Sequence, residues 1–82
     1  MYLHIGGEYT LPAREIVGLF DLDGTTRGRG TRDFLARREK EGKLTGGSVL
    51  PRSFVLTAND RVYLSPITTA TLKSRLFPGA FQ

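Results

Sequence analysis

Two carboxylates separated by a single residue, Asp21 and Asp23 in the stretch FDLDGT, are the side chains of this sequence whose spacing could do covalent chemistry. At the exit of a strand, the first could attack phosphorus while the second works as acid and base, with a phosphoaspartate formed in between. That intermediate gathers negative charge, so the chemistry needs Mg²⁺ and further carboxylates to hold it. Downstream of Asp23 the acidic residues are Asp33, Glu39, Glu41 and Asp60, and no neighbouring pair of them follows a later apolar strand.

The same letters open the nucleophile motif of haloacid dehalogenase-type phosphatases. Those enzymes need a parallel sheet with crossover helices, and the residues after Thr25 spell two hairpin-like strands instead of successive βαβ units. DLDGT is therefore expected to be a strand exit, turned by aspartate side chains and Gly24. No catalytic residue and no enzymatic activity are expected. A metal site needs three or four ligands, and His4 is the single histidine of a chain without cysteine. It reads as a strand-face side chain, and no metal, cofactor or small-molecule substrate is expected.

The chemistry that remains is charge. The formal net charge is +4, and nine of the twelve basic residues are arginine. Their placement is uneven: residues 1–23 hold one basic and four acidic groups, whereas residues 24–43 hold seven basic and three acidic ones. A polyanion would be drawn to that middle segment. The guanidinium fork bonds phosphate or guanine in a bidentate way, which suits arginine to nucleic acid.

Within the segment, GTTRGRG at residues 24–30 lacks the spacing of a phosphate-cradling loop, Gly-x-x-x-x-Gly-Lys. Its glycines make it a flexible loop from which Arg27 and Arg29 could reach phosphates, the alternative being a merely solvated loop. Arg52 has no acidic neighbour in sequence and stands just before a strand, so it is the arginine most readily assigned to a phosphate or base edge. The following helix carries Arg37, Arg38, Lys40 and Lys43 among Asp33, Glu39 and Glu41, and an i, i+4 pair between Asp33 and Arg37 is expected to offset part of its charge.

A chain of 82 residues has room for one domain with a thin core, and association between copies would help it. Without cysteine there is no disulfide framework. No apolar run is long enough to cross a membrane, and MYLHIGGEYT does not read as a leader, so a cytoplasmic protein is expected.

The elements that must position these side chains can be read in order. YLHI and EYTL around Gly6-Gly7 predict a hairpin that Pro12 closes. EIVGLFDL predicts a third strand, so continuously apolar that burial on both faces is expected. Thr31 is expected to cap a helix RDFLARREKE that Gly42 stops. KLTGGSVLP reads as a loop; SFVLT and VYLS form a second hairpin around Asn59 and Asp60. After Pro66, Thr68 or Thr69 caps a closing helix that turns Ile67, Leu72 and Leu76 to one side. The expectation is a small α+β domain over residues 1–77, with a mainly antiparallel sheet, two helices and the order β-β-β-α-β-β-α, followed by a tail at 78–82.

MYLHIGG at the start, REIVGLFD, SFVLT, and VYLSPITTATLKSR near the end resemble the extracellular-matrix regulator family of spore-forming bacteria, in its RemB branch. The resemblance runs from residue 1 to about 76. It implies a DNA-binding transcriptional regulator of biofilm matrix genes; no membrane partner is expected, because the chain lacks a long apolar run. The sister RemA branch implies a LytTR-like module that closes into homo-oligomeric rings and binds double-stranded DNA around the ring with arginines. Where that branch has adjacent arginines before the fourth strand, this chain has Val49-Leu50-Pro51-Arg52, and Arg14 approximates an arginine near the start of the third. Arg14, Arg27, Arg29 and Arg52 are therefore the expected DNA contacts. The alternative is a protein-interaction subunit of the same fold that does not touch DNA, suggested by the acidic amino-terminal segment and the altered arginine pair.

Overall fold

The computed structural model describes residues 1–22, 29–46 and 50–77. The strand exit at Asp23–Thr25, the loop arginine Arg27 and the tail at 78–82 lie outside the described residues.

Gly6 and Gly7, both at positive φ, turn β1 (Tyr2–Gly6) back onto β2 (Tyr9–Pro12) as an antiparallel hairpin. Gly6 is also closely packed, since a Cβ there would lie 2.9 Å from the ring of Pro66. A short 3-10 turn at Ala13–Glu15 leads into β3 (Ile16–Asp21). Then come α1 (Arg29–Lys40), the two-residue β4 (Leu44–Thr45), β5 (Ser53–Thr57), β6 (Val62–Ser65) and α2 (Thr69–Leu76). The hairpin is a sheet of its own, and the other four strands form a second sheet in the order β3-β5-β6-β4.

The α+β class and the two helices are as the sequence predicts, but the larger sheet is mixed. β3, β5 and β6 are antiparallel, while β4 runs parallel to β6, pairing Leu44 with Val62 and Thr45 with Tyr63. The expected loop at KLTGGSVLP thus begins as a strand. A Schellman turn explains it: Gly42, at φ +73°, donates to the Glu39 carbonyl and Lys43 donates to that of Arg38, which ends α1 and reverses the chain. The Lys43 carbonyl then accepts from the Val62 amide, and the next two residues fall beside β6.

Two further expectations are corrected. Helix α1 starts at Arg29, so Thr31 lies inside it and is not its cap; no proline or β-branched run opposes the extra turn. The third strand is not buried on both faces. It is the outermost strand of its sheet, with Val17 63% and Phe20 42% exposed: β5 pairs with one of its edges, and no strand among the described residues pairs with the other. A bulge at Val17, where Ile16 pairs with Thr57 and Gly18 with Leu56, further twists this edge.

The core lies on one face of the larger sheet. Leu3, Ile5 and Leu11 of the hairpin pack against Val55 of β5 and Leu72 of α2, with Leu19, Tyr63, Ile67 and Leu76 around them. Two buried serines lock the layers. Ser65 Oγ donates to the Ile5 carbonyl at 2.6 Å and accepts from the Ile67 amide at 3.0 Å, and Ser53 Oγ donates to the Ile67 carbonyl at 2.7 Å. Thr68 caps α2 by accepting from the Thr71 amide, as expected. Helix α1 covers the opposite face, where Phe34 meets Phe54 and Phe54 stacks on Phe20 at 4.9 Å.

Candidate nucleic-acid interface

Strand pairing decides where each predicted arginine sits. Arg52 immediately precedes β5, and its backbone is held on both sides: its amide donates to the Ser65 carbonyl at 2.8 Å and its carbonyl accepts from Leu22 at 2.9 Å. Its side chain is exposed. The two backbone bonds splice it between the end of β6 and the chain leaving β3, so the guanidinium projects from rigid sheet. The first turn of α1 lies over the sheet, where Gly30 and Thr31 line an open apolar cleft with Phe20, Phe34, Phe54 and Leu56. Arg29 is the first residue of α1, and its side chain lies outside the described residues.

Arg14 is elsewhere. It is exposed in the 3-10 turn that precedes β3, next to Glu15, whose carbonyl accepts from Ala58 beyond the end of β5. Since β3 rises roughly 3.4 Å per residue, its six residues put Arg14 about 20 Å from Arg52 along the sheet. Of the expected contacts, Arg14 and Arg52 do not share a patch in one subunit; they stand at opposite ends of one strand.

Asp21, the nucleophile candidate of the sequence, is the last residue of β3, exposed, and opposite Ser53 in an antiparallel ladder. Among the described residues no group of three or more His, Cys, Asp or Glu side chains could hold a metal ion. His4 is exposed on β1, its Nε2 3.1 Å from the Gly7 carbonyl, while Arg75 of α2 donates to the His4 carbonyl.

Helix α1 is anchored by its inner side. The Arg38 guanidinium lies 4.8 Å from the centre of the Phe34 ring, donates to Asp60 at 2.8 Å and to Glu41 at 3.0 Å, and Lys43 reaches the other oxygen of Asp60 at 3.4 Å. Asp60 sits at positive φ in the β5–β6 turn, so this clamp ties the end of α1 to the sheet. The expected pair between Asp33 and Arg37 does not form. Arg32, Arg37 and Lys40 are exposed without an ionic partner among the described residues, and of these Arg37 is the one expected to be paired.

An apolar surface completes the description. Along the open edge of β3, Ile16, Val17, Gly18 and Leu19 line a groove with Leu76 and Phe77, the latter 54% exposed. With the Phe20 cleft on the other face, this strand shows apolar surface on both sides of the sheet.

Over 75 residues, 92% of this chain and 89% of the relative, the sequence is 32% identical to Extracellular matrix regulatory protein B of Bacillus subtilis (strain 168). The chain belongs to the extracellular matrix regulatory protein B family. No protein-family profile matches it. Family membership accounts for the resemblance in MYLHIGG and VYLSPITTATLKSR: these segments form β1 and the run from β6 into α2 that hydrogen bonds from Ser65 and Ser53 hold together. No described helix is long and apolar enough to cross a membrane.

Proposed function

We propose that the protein is a non-enzymatic, cytoplasmic regulator of extracellular-matrix genes that binds double-stranded DNA through arginine contacts to phosphates and works as a ring-like homo-oligomer of LytTR-like modules. The observation that carries the DNA reading is Arg52, exposed on a backbone fixed at both its amide and its carbonyl, at the end of the sheet where the chain leaves β3. Family membership supports the regulatory role. Charge supports the partner, since seven of the twelve basic residues fall in residues 24–43.

Assembly is supported by the open edge of β3. An unpaired, largely apolar edge strand invites pairing with another chain, and closing copies into a ring would remove it. Repetition also answers the separation of Arg14 from Arg52, because many weakly bound ends on one duplex gain affinity by multivalency.

The test is binding to a labelled duplex of about 40 base pairs by fluorescence anisotropy across a salt series, where log affinity should fall by about 0.9 per log unit of salt for each phosphate contact. Replacing Arg27, Arg29 and Arg52 together by Ala should abolish binding; unchanged affinity would remove these residues from the interface. The second reading, an interaction subunit that never touches DNA, is favoured by the apolar surface on both sides of β3. Capture of protein partners that survives nuclease treatment, with no duplex binding at low salt, would establish it instead.

A further inference from the structure

We infer that the outer face of α1 is a second phosphate-contacting surface, laid across the DNA groove by Arg32, Arg37 and Lys40. This deepens the DNA-binding reading and rests on it. With 3.6 residues per turn, positions 32, 33, 36, 37 and 40 fall on one side of the helix, and all five are exposed. Thr31, Phe34, Leu35 and Arg38 form the opposite, half-buried side. The clamp of Arg38 on Asp60 and Glu41 fixes which side faces out. It also occupies Glu41, so that carboxylate does not compete for the outward cations.

Arg32 and Lys40 are eight residues apart, a rise of about 12 Å at 1.5 Å per residue. The major groove of B-DNA is about 12 Å wide. A helix lying across its mouth could set Arg32 against one phosphate strand and Lys40, with Arg37 beside it, against the other. Midway between them stands Ala36, whose small side chain lets the helix approach closely. Two exposed carboxylates accompany these cations: Asp33, and Glu39, which lies about 20° from Arg32 around the helix. Neither makes an ion pair among the described residues.

Three exposed substitutions, Arg32→Ala, Arg37→Ala and Lys40→Ala, made together, leave the clamp and the core untouched and should preserve the far-ultraviolet circular dichroism. In the anisotropy salt series on duplex DNA, the slope of log affinity on log salt should shrink by roughly 2 to 3, one contact per cation removed. Asp33→Asn should act in the opposite direction and tighten binding. A wild-type protein that binds DNA, together with a triple variant of unchanged slope, overturns this surface and leaves the Arg52 end standing. A wild-type protein that does not bind at low salt removes the DNA reading and this inference with it. Loss of binding to phosphatidylserine vesicles alone, with the DNA slope unchanged, would assign the stripe to a membrane surface and overturn it as well.

Discussion

Replacing Ser65 by Ala removes one oxygen and should unfasten two layers. The residue is fully buried at the end of β6, where its Oγ donates to the Ile5 carbonyl of the hairpin and accepts from the Ile67 amide ahead of α2. Alanine fills nearly the same space, so loss of packing is minor. It leaves one buried acceptor and one buried donor without this partner. Each unsatisfied group costs about 1–3 kcal/mol, so a total of about 2–6 kcal/mol is expected. In a domain of this size each kcal/mol moves the melting midpoint by about 4–8 °C, and the variant should melt at least about 8 °C lower. Ser53→Ala serves as an internal scale, because Ser53 Oγ makes one such bond, to the Ile67 carbonyl, and should lose about half as much. Thermal unfolding followed by circular dichroism reads both. A Ser65→Ala variant melting within a degree or two of wild type would show that the hairpin is held to the sheet by apolar packing alone.

Leu72→Ala empties the centre of the core, since Leu72 is fully buried among Leu3, Ile5 and Val55, and should destabilise by about 2–5 kcal/mol in chemical denaturation. A loss under about 1 kcal/mol would mean that α2 does not close the core. Val17→Lys places a charge on the open edge of β3, where the side chain is exposed and its loss leaves no cavity. Light scattering coupled to size exclusion should find a multimer for wild type and a smaller species for the variant, with unchanged circular dichroism; equal masses would acquit this edge.

The sequence carried the local structure well, because hairpins, caps and stops are written in a few residues each. Gly6-Gly7, Thr68 and Gly42 do in the fold what their chemistry predicts. What it concealed was decided by tertiary pairing. The apolar run IVGLFD signals a strand that wants cover on both faces, but periodicity does not say whether its own chain supplies the cover, and among the described residues Val17 and Phe20 stay exposed. Strand β4 has two residues and no pattern; it exists because a helix C-cap delivers them beside β6. At the candidate site, Arg52 was legible from its position before a strand. The distance to Arg14 was not, since it follows from the antiparallel pairing of β3 with β5. Among the outward cations of α1, Arg37 was masked by its expected pairing with Asp33. The structure spends the helix's ionic contacts on Arg38 instead, because Asp60 in the distant turn offers that guanidinium a partner outside the helix.

The same Val17→Lys substitution separates two contributions to DNA affinity that otherwise rise and fall together. If charge on each subunit alone set the affinity, an added lysine would strengthen attraction to the duplex, and the salt dependence would steepen or stay as it was. If affinity comes from many copies joined through β3, breaking that joint turns one multivalent encounter into separate weak ones, and affinity should fall by a factor on the order of 100 or more despite the extra positive charge. The two mechanisms predict opposite signs for one substitution that touches no proposed phosphate contact. A variant that is smaller in mass yet binds DNA as tightly as wild type would dissociate assembly from binding, and would require Arg14, Arg52 and the α1 stripe of a single subunit to suffice.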